Sequence, residues 1–121
     1  MTELETQFER CYRDVALLTG FETQFEDCYK DISVFYRVYF SKWNQDHTPE
    51  SFRKQHALWK IVEFSPAYWS EWGSYSRYDV LHDNIWNAMS LFVGDYDVTD
   101  ALRKMGDVIN RAHEATITAC I

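Results

Sequence analysis

Apolar residues recur at helical spacing along most of this chain. Leu4, Phe8, Cys11, Val15 and Leu18 are spaced 4, 3, 4 and 3 apart, which places them on one face of an amphipathic helix. Phe25, Cys28, Ile32, Phe35 and Tyr39 follow at 3, 4, 3 and 4, with Tyr29, Tyr36 and Trp43 beside the stripe. The two stripes are copies of one another. Residues 5–14 read ETQFERCYRD and residues 22–31 read ETQFEDCYKD, identical at eight of ten positions, with only Arg10/Asp27 and Arg13/Lys30 differing. The seventeen-residue offset pairs Phe8 with Phe25, Cys11 with Cys28, Tyr12 with Tyr29 and Val15 with Ile32. A helix of this length is stable only when its stripe is buried. The repeat therefore reads as structural, a duplication that supplies a second packing helix.

Two arrangements fit residues 4–43. Thr19-Gly20 can end the first helix, with Gly20 in the left-handed conformation that closes helix C-termini, and the second helix then folds back as a hairpin. Alternatively one helix runs through, because Leu4, Cys11, Leu18, Phe25, Ile32 and Tyr39 recur every seven residues. An interior Gly20 costs that helix about 1 kcal/mol, and Glu22 would occupy a position of its seam, so the hairpin is preferred.

Further along, Thr48 is an N-cap, Pro49 suits the first helical position and Glu50 suits the positive end of the helix dipole. This third helix is predicted to run to about Phe64 with Phe52, Trp59 and Val62 inward. Ser65-Pro66 repeats the start signal for a short helix that Gly73 stops. Asp79 caps a fifth helix with the stripe Leu81, Ile85, Ala88 and Phe92, stopped by Gly94. Asp97 or Thr99 caps the last, with Val98, Leu102, Met105, Ile109 and Ala112 inward. No segment alternates with the period of a strand. The expected fold is all-α: a compact bundle of five or six helices in a single domain, with residues 1–46 as the repeated hairpin and 47–121 as capping helices.

Composition narrows the function classes. The chain has 121 residues, enough for one core, and only four Gly and two Pro, few turns for an all-β design. The formal charge of -7 disfavours nucleic acid, whose phosphates call for Lys and Arg, and points to a basic protein partner instead. Three cysteines without a CxxC spacing suggest a reducing compartment. The opening MTELETQFER has no apolar leader-like stretch, and no run approaches the roughly 18 apolar residues of a membrane span. The expected location is cytoplasmic.

Catalytic signatures are sparse. No GxSxG, P-loop, GxGxxG or HExxH occurs. Cys11 and Cys28 lie on the apolar stripes, where a thiol is a small buried hydrophobe. His47 and His113 have no companions at metal-ligand spacing, and His113 suits the C-terminal end of a helix dipole. His82-Asp83 with the earlier His56 resembles the helical phosphohydrolases of the HD type, and that resemblance implies a metal-dependent hydrolase. Only these three residues carry it, and the candidates for the closing aspartate, Asp100 and Asp107, come sooner after the pair than in that family. The stretch NIWNAMSLFVGDYDVTDALRKMGDVINR (84–111) is similar to the C-terminal helical end of bacterial extracellular solute-binding proteins. It covers about a quarter of the chain and reads as convergence on helix-capping chemistry. No catalytic, cofactor or metal site is assigned.

The segment FSPAYWSEWGSYSRY (64–78) holds six aromatics among serines and a glycine. Tyr and Trp are the usual anchors of protein-recognition surfaces, with Arg as the third preferred type. The expected interface is Tyr68, Trp69, Trp72, Tyr75, Arg77 and Tyr78 with Asp79 and Asp83. Asp95, Asp97, Asp100 and Asp107 can add to an acidic rim that speeds encounter with a basic partner. The bland alternative is that some of these rings plug the end of the core. The expected function is a non-catalytic protein-binding module of the inhibitor, immunity or antitoxin type. The alternatives are a self-associating helical protein, dimeric through the repeated helices, and the metal-dependent hydrolase.

Overall fold

The computed structural model describes residues 20–63 and 75–120. Among these residues there are four helices and no strand: α1 (Phe21–Asp46), α2 (Pro49–Val62), α3 (Tyr75–Leu91) and α4 (Tyr96–Cys120). The all-α expectation therefore holds. The first repeat copy, the hairpin it would form and the short helix after Ser65-Pro66 lie outside the described residues.

α1 starts at Phe21 because Gly20 adopts φ 76 and ψ 5, the left-handed region that a residue without Cβ enters at little cost. A helix running unbroken through Gly20 is excluded by that conformation. At its other end His47 is also left-handed, φ 49, and its N–H donates to the Trp43 carbonyl at 2.8 Å. The chain thus reverses over His47 and Thr48 alone. Thr48 then caps α2 as its sequence predicts: Oγ1 accepts from the Ser51 N–H at 3.1 Å, with Pro49 in the first turn and Glu50 at the positive end of the dipole.

The helices pack in a ring, α1 on α2, α2 on α3, α3 on α4 and α4 back on α1. Its centre is filled by Phe25, Cys28 and Ile32 of α1, Leu58 and Ile61 of α2, Leu81, Ile85 and Ala88 of α3, and Val98, Leu102, Met105 and Ile109 of α4, together with Phe92. Each large aliphatic or aromatic side chain buried here contributes about 1.5–3 kcal/mol relative to leaving it in water. The stripes predicted for α3 and α4 are the buried ones, and Gly94 ends the intervening turn with φ 92. In the second repeat copy, Phe25 and Cys28 are buried, whereas Asp27 and Lys30, the two positions at which the copies differ, face solvent.

Three details differ from the sequence reading. Phe52 and Trp59 are 54% and 43% exposed, and the inward residues of α2 are Ser51, Leu58 and Ile61, one residue earlier in phase. Ser51 tolerates burial because its hydroxyl hydrogen-bonds with Thr48 Oγ1 at 2.7 Å and donates to the Thr48 carbonyl at 3.2 Å. Asp79 does not cap α3, which already begins at Tyr75. α4 begins at Tyr96, so neither Asp97 nor Thr99 caps it. The Asp95 carbonyl accepts from the Thr99 N–H at 2.9 Å, and the Thr99 hydroxyl donates to the Phe92 carbonyl at 2.9 Å, closing the preceding turn.

Candidate functional site

The two-residue link at His47 and Thr48 makes α1 and α2 an antiparallel pair, and aromatic residues line the outer edge of their seam. Tyr36 of α1 meets Trp59 of α2 with ring centroids 5.5 Å apart, and Phe40 lies 6.0 Å from Tyr36. Seven residues on in α1 and seven back in α2, Trp43 meets Phe52 at 6.1 Å. Two imidazoles extend the row: His47 sits edge-on to Trp43 at 4.8 Å, and His56 stacks on Phe52 at 6.1 Å with the rings 9° from parallel. Seven residues are two helical turns, so both contacts share one register. The strip is half open to solvent, with Phe40, Phe52 and Trp59 each more than two-fifths exposed.

A polar clamp fixes this strip to the rest of the bundle. The Tyr39 hydroxyl donates to Asp95 Oδ2, and the Tyr39 ring packs edge-on against Phe92 at 5.0 Å. Lys54 Nζ lies 3.6 Å from Glu50 Oε1 and 4.0 Å from Asp95 Oδ2. The same ammonium stands 5.4 Å from the Phe92 ring centroid and 5.9 Å from that of Tyr39. Burial, then the hydrogen bond to Asp95 and its negative charge, push the Tyr39 phenol well above its ordinary range. Tyr39 is thus a fixed donor, held within the chain by Asp95.

Of the residues predicted as the interface, Tyr68, Trp69 and Trp72 lie outside the described residues. Tyr75, Arg77 and Tyr78 belong to the start of α3, and Asp79 and Asp83 are exposed further along it. Asp100 and Asp107 each hold a cation of α4, Lys104 at 3.0 Å and Arg111 at 3.3 Å, and Asp95 holds Tyr39. Three of the six aspartates proposed as a rim are therefore engaged within the chain. The α1/α2 strip is absent from the interface expected from the sequence, because that reading places Phe52 and Trp59 inward whereas they are exposed. The signal for it was the matching seven-residue spacing of Tyr36 and Trp43 with that of Phe52 and Trp59.

The groups named for chemistry are dispersed. His56 lines the groove between α2 and α3, while His82 lines the groove between α3 and α4. Among the described residues, no group of three or more His, Cys, Asp or Glu is placed to hold a metal ion. Cys28 is buried, and that burial, then Asp31 and Asp27, push its thiol upward, away from the reactive thiolate. Among the described residues, no helix is long and apolar enough to cross a membrane. Comparisons with protein-family models, with curated proteins and with solved structures found no match to this chain.

Proposed function

We propose that this chain is a non-catalytic protein-binding module that occludes another protein, in the manner of an inhibitor, immunity protein or antitoxin. The observation that carries this reading is the aromatic strip of α1 and α2, where Tyr36, Phe40, Trp43, Phe52 and Trp59 stand in ring contact and partly in water. Large rigid rings that bury area at low entropic cost are the recurrent anchors of protein interfaces. The residues 68–78 named from the sequence extend the proposal to a second aromatic surface.

The test is affinity capture from native lysate with the wild-type chain, Phe40→Ala/Trp59→Ala and Trp69→Ala/Trp72→Ala, each first shown by circular dichroism to be folded. A stoichiometric partner held by wild type and lost from one folded variant supports the module and tells which surface holds it. If only the chain itself is recovered, and its mass rises with concentration, self-association through the repeated helices replaces this reading.

A further inference from the structure

Net charge predicts a basic partner, but the groove beside the aromatic strip is lined by cations and by no carboxylate. The groove between α2 and α3, about 250 Å³, has an apolar floor of Phe52, Ala57 and Leu91. Its remaining lining is Arg53, His56, Lys60 and the amides of Asn84 and Asn87, with no carboxylate. Lys30, Lys54, Lys104 and Arg111 are each held by a carboxylate within 4.0 Å, whereas Arg37, Lys42 and Arg103 stand exposed and outside any ion pair among the described residues. What sets the groove apart is that its two cations flank an apolar floor. Arg53 and Lys60 form no ion pair among the described residues and are exposed. They stand seven residues apart on one helix, about 10.5 Å along its axis.

Resting on the protein-binding reading above, we infer that the α2/α3 groove receives an acidic amphipathic helix of the partner protein. A helix laid along the groove presents carboxylates at the same seven-residue interval, one to the Arg53 guanidinium and one to the Lys60 ammonium. Apolar residues between them cover Phe52, Ala57 and Leu91, and the Asn84 and Asn87 amides bond the flanking polar groups. Groove docking by one apolar helix face is a standard mode of peptide recognition. The charge pairs at the rim set orientation and encounter rate more than affinity.

The probe is a fluorescein-labelled synthetic helical peptide of about 18 residues, with Glu at two positions seven apart and Leu between them. Its control carries Gln for Glu, and both are titrated into the full chain by fluorescence anisotropy. The Glu peptide is expected to bind about tenfold more tightly than the Gln peptide at low salt. That advantage should shrink as salt approaches about 0.15 M, and Arg53→Glu/Lys60→Glu should abolish or reverse it. Equal binding of the two peptides, binding of neither, or a preference unchanged by the charge swap overturns the inference. So does a single-stranded oligonucleotide that binds more tightly than the Glu peptide and is lost in the swapped variant. If Phe40→Ala/Trp59→Ala loses a captured partner that Arg53→Glu/Lys60→Glu retains, the binding module stands and its acidic partner helix falls.

Discussion

Tyr39 and Asp95 join the middle of the bundle's first described helix to the turn before its last, the phenol donating to the carboxylate across 56 positions of sequence. Removing the hydroxyl leaves a half-exposed carboxylate that water can reach, so Tyr39→Phe should cost about 1 kcal/mol. The pH dependence carries a sign. The folded-state pKa of Tyr39 is raised, so its contribution is complete below the unfolded value of about 10 and is lost as pH rises beyond it. Urea denaturation from pH 8 upward should show wild type losing stability above pH 10 more steeply than Tyr39→Phe. Parallel curves would refute the coupling.

Phe52 and Leu58 discriminate the phase of α2. Leu58 is fully buried while Phe52 is more than half exposed, so Leu58→Ala should cost about 3 kcal/mol and Phe52→Ala less than about 1 kcal/mol. Denaturation midpoints at constant m-value measure both. The reverse order would restore the inward assignment of Phe52.

Two glycines should respond to alanine in opposite directions. Gly94 sits at φ 92, where an L side chain is strained, and Gly94→Ala should destabilise by about 1–2 kcal/mol. Gly106 lies inside α4, and a Cβ built there meets Ile85 Cγ2 at 3.6 Å, an ordinary contact. Gly106→Ala should therefore raise stability by about 0.5–1 kcal/mol, as helix propensity dictates. Thermal melts of the two variants provide the check, and a loss at Gly106 would mean that Ile85 leaves no room for the methyl group.

The buried Cys28 thiol should react slowly. Its raised pKa, due first to burial and then to Asp31 and Asp27, keeps it protonated at neutral pH. Iodoacetamide labelling followed by peptide mapping should modify Cys28 only once denaturant unfolds the chain. Prompt labelling of the native protein would show that the α1/α4 contact opens readily.

Period was readable from the sequence where the apolar residues of a helix have one interpretation. Leu81, Ile85, Ala88 and Phe92, and Val98 through Ala112, have no competing apolar face of equal strength, and both stripes are buried. α2 has a competitor. Phe52 and Trp59 are seven apart, as are Ser51 and Leu58, so spacing alone does not separate two faces one residue out of phase. Ring size favoured the wrong one, because the burial of Ser51 depends on a hydroxyl used within the Thr48 cap, a local bond invisible to hydrophobic patterning. The exposure of Phe52 and Trp59, and with it the aromatic strip, depends on that same phase. The surface chosen from composition, Tyr68 to Tyr78, rests on residue type alone, and its first members fall outside the described residues. A net charge of -7 says nothing of how Arg53 and Lys60 are placed, because it sums over the chain what the fold distributes unevenly.

The ring of helices has a consequence for how the chain acquires its structure. Three of its four contacts join helices that follow one another among the described elements, and only α1 against α4 brings distant parts of the chain together. Local contacts form early at little loop-closure cost, whereas the distant one must overcome the entropy of the whole intervening segment. Docking α1 on α4 is therefore expected to be the last of the four contacts to form. That contact is also the seam along which a newly synthesised chain remains open until Met105 and Ile109 have emerged.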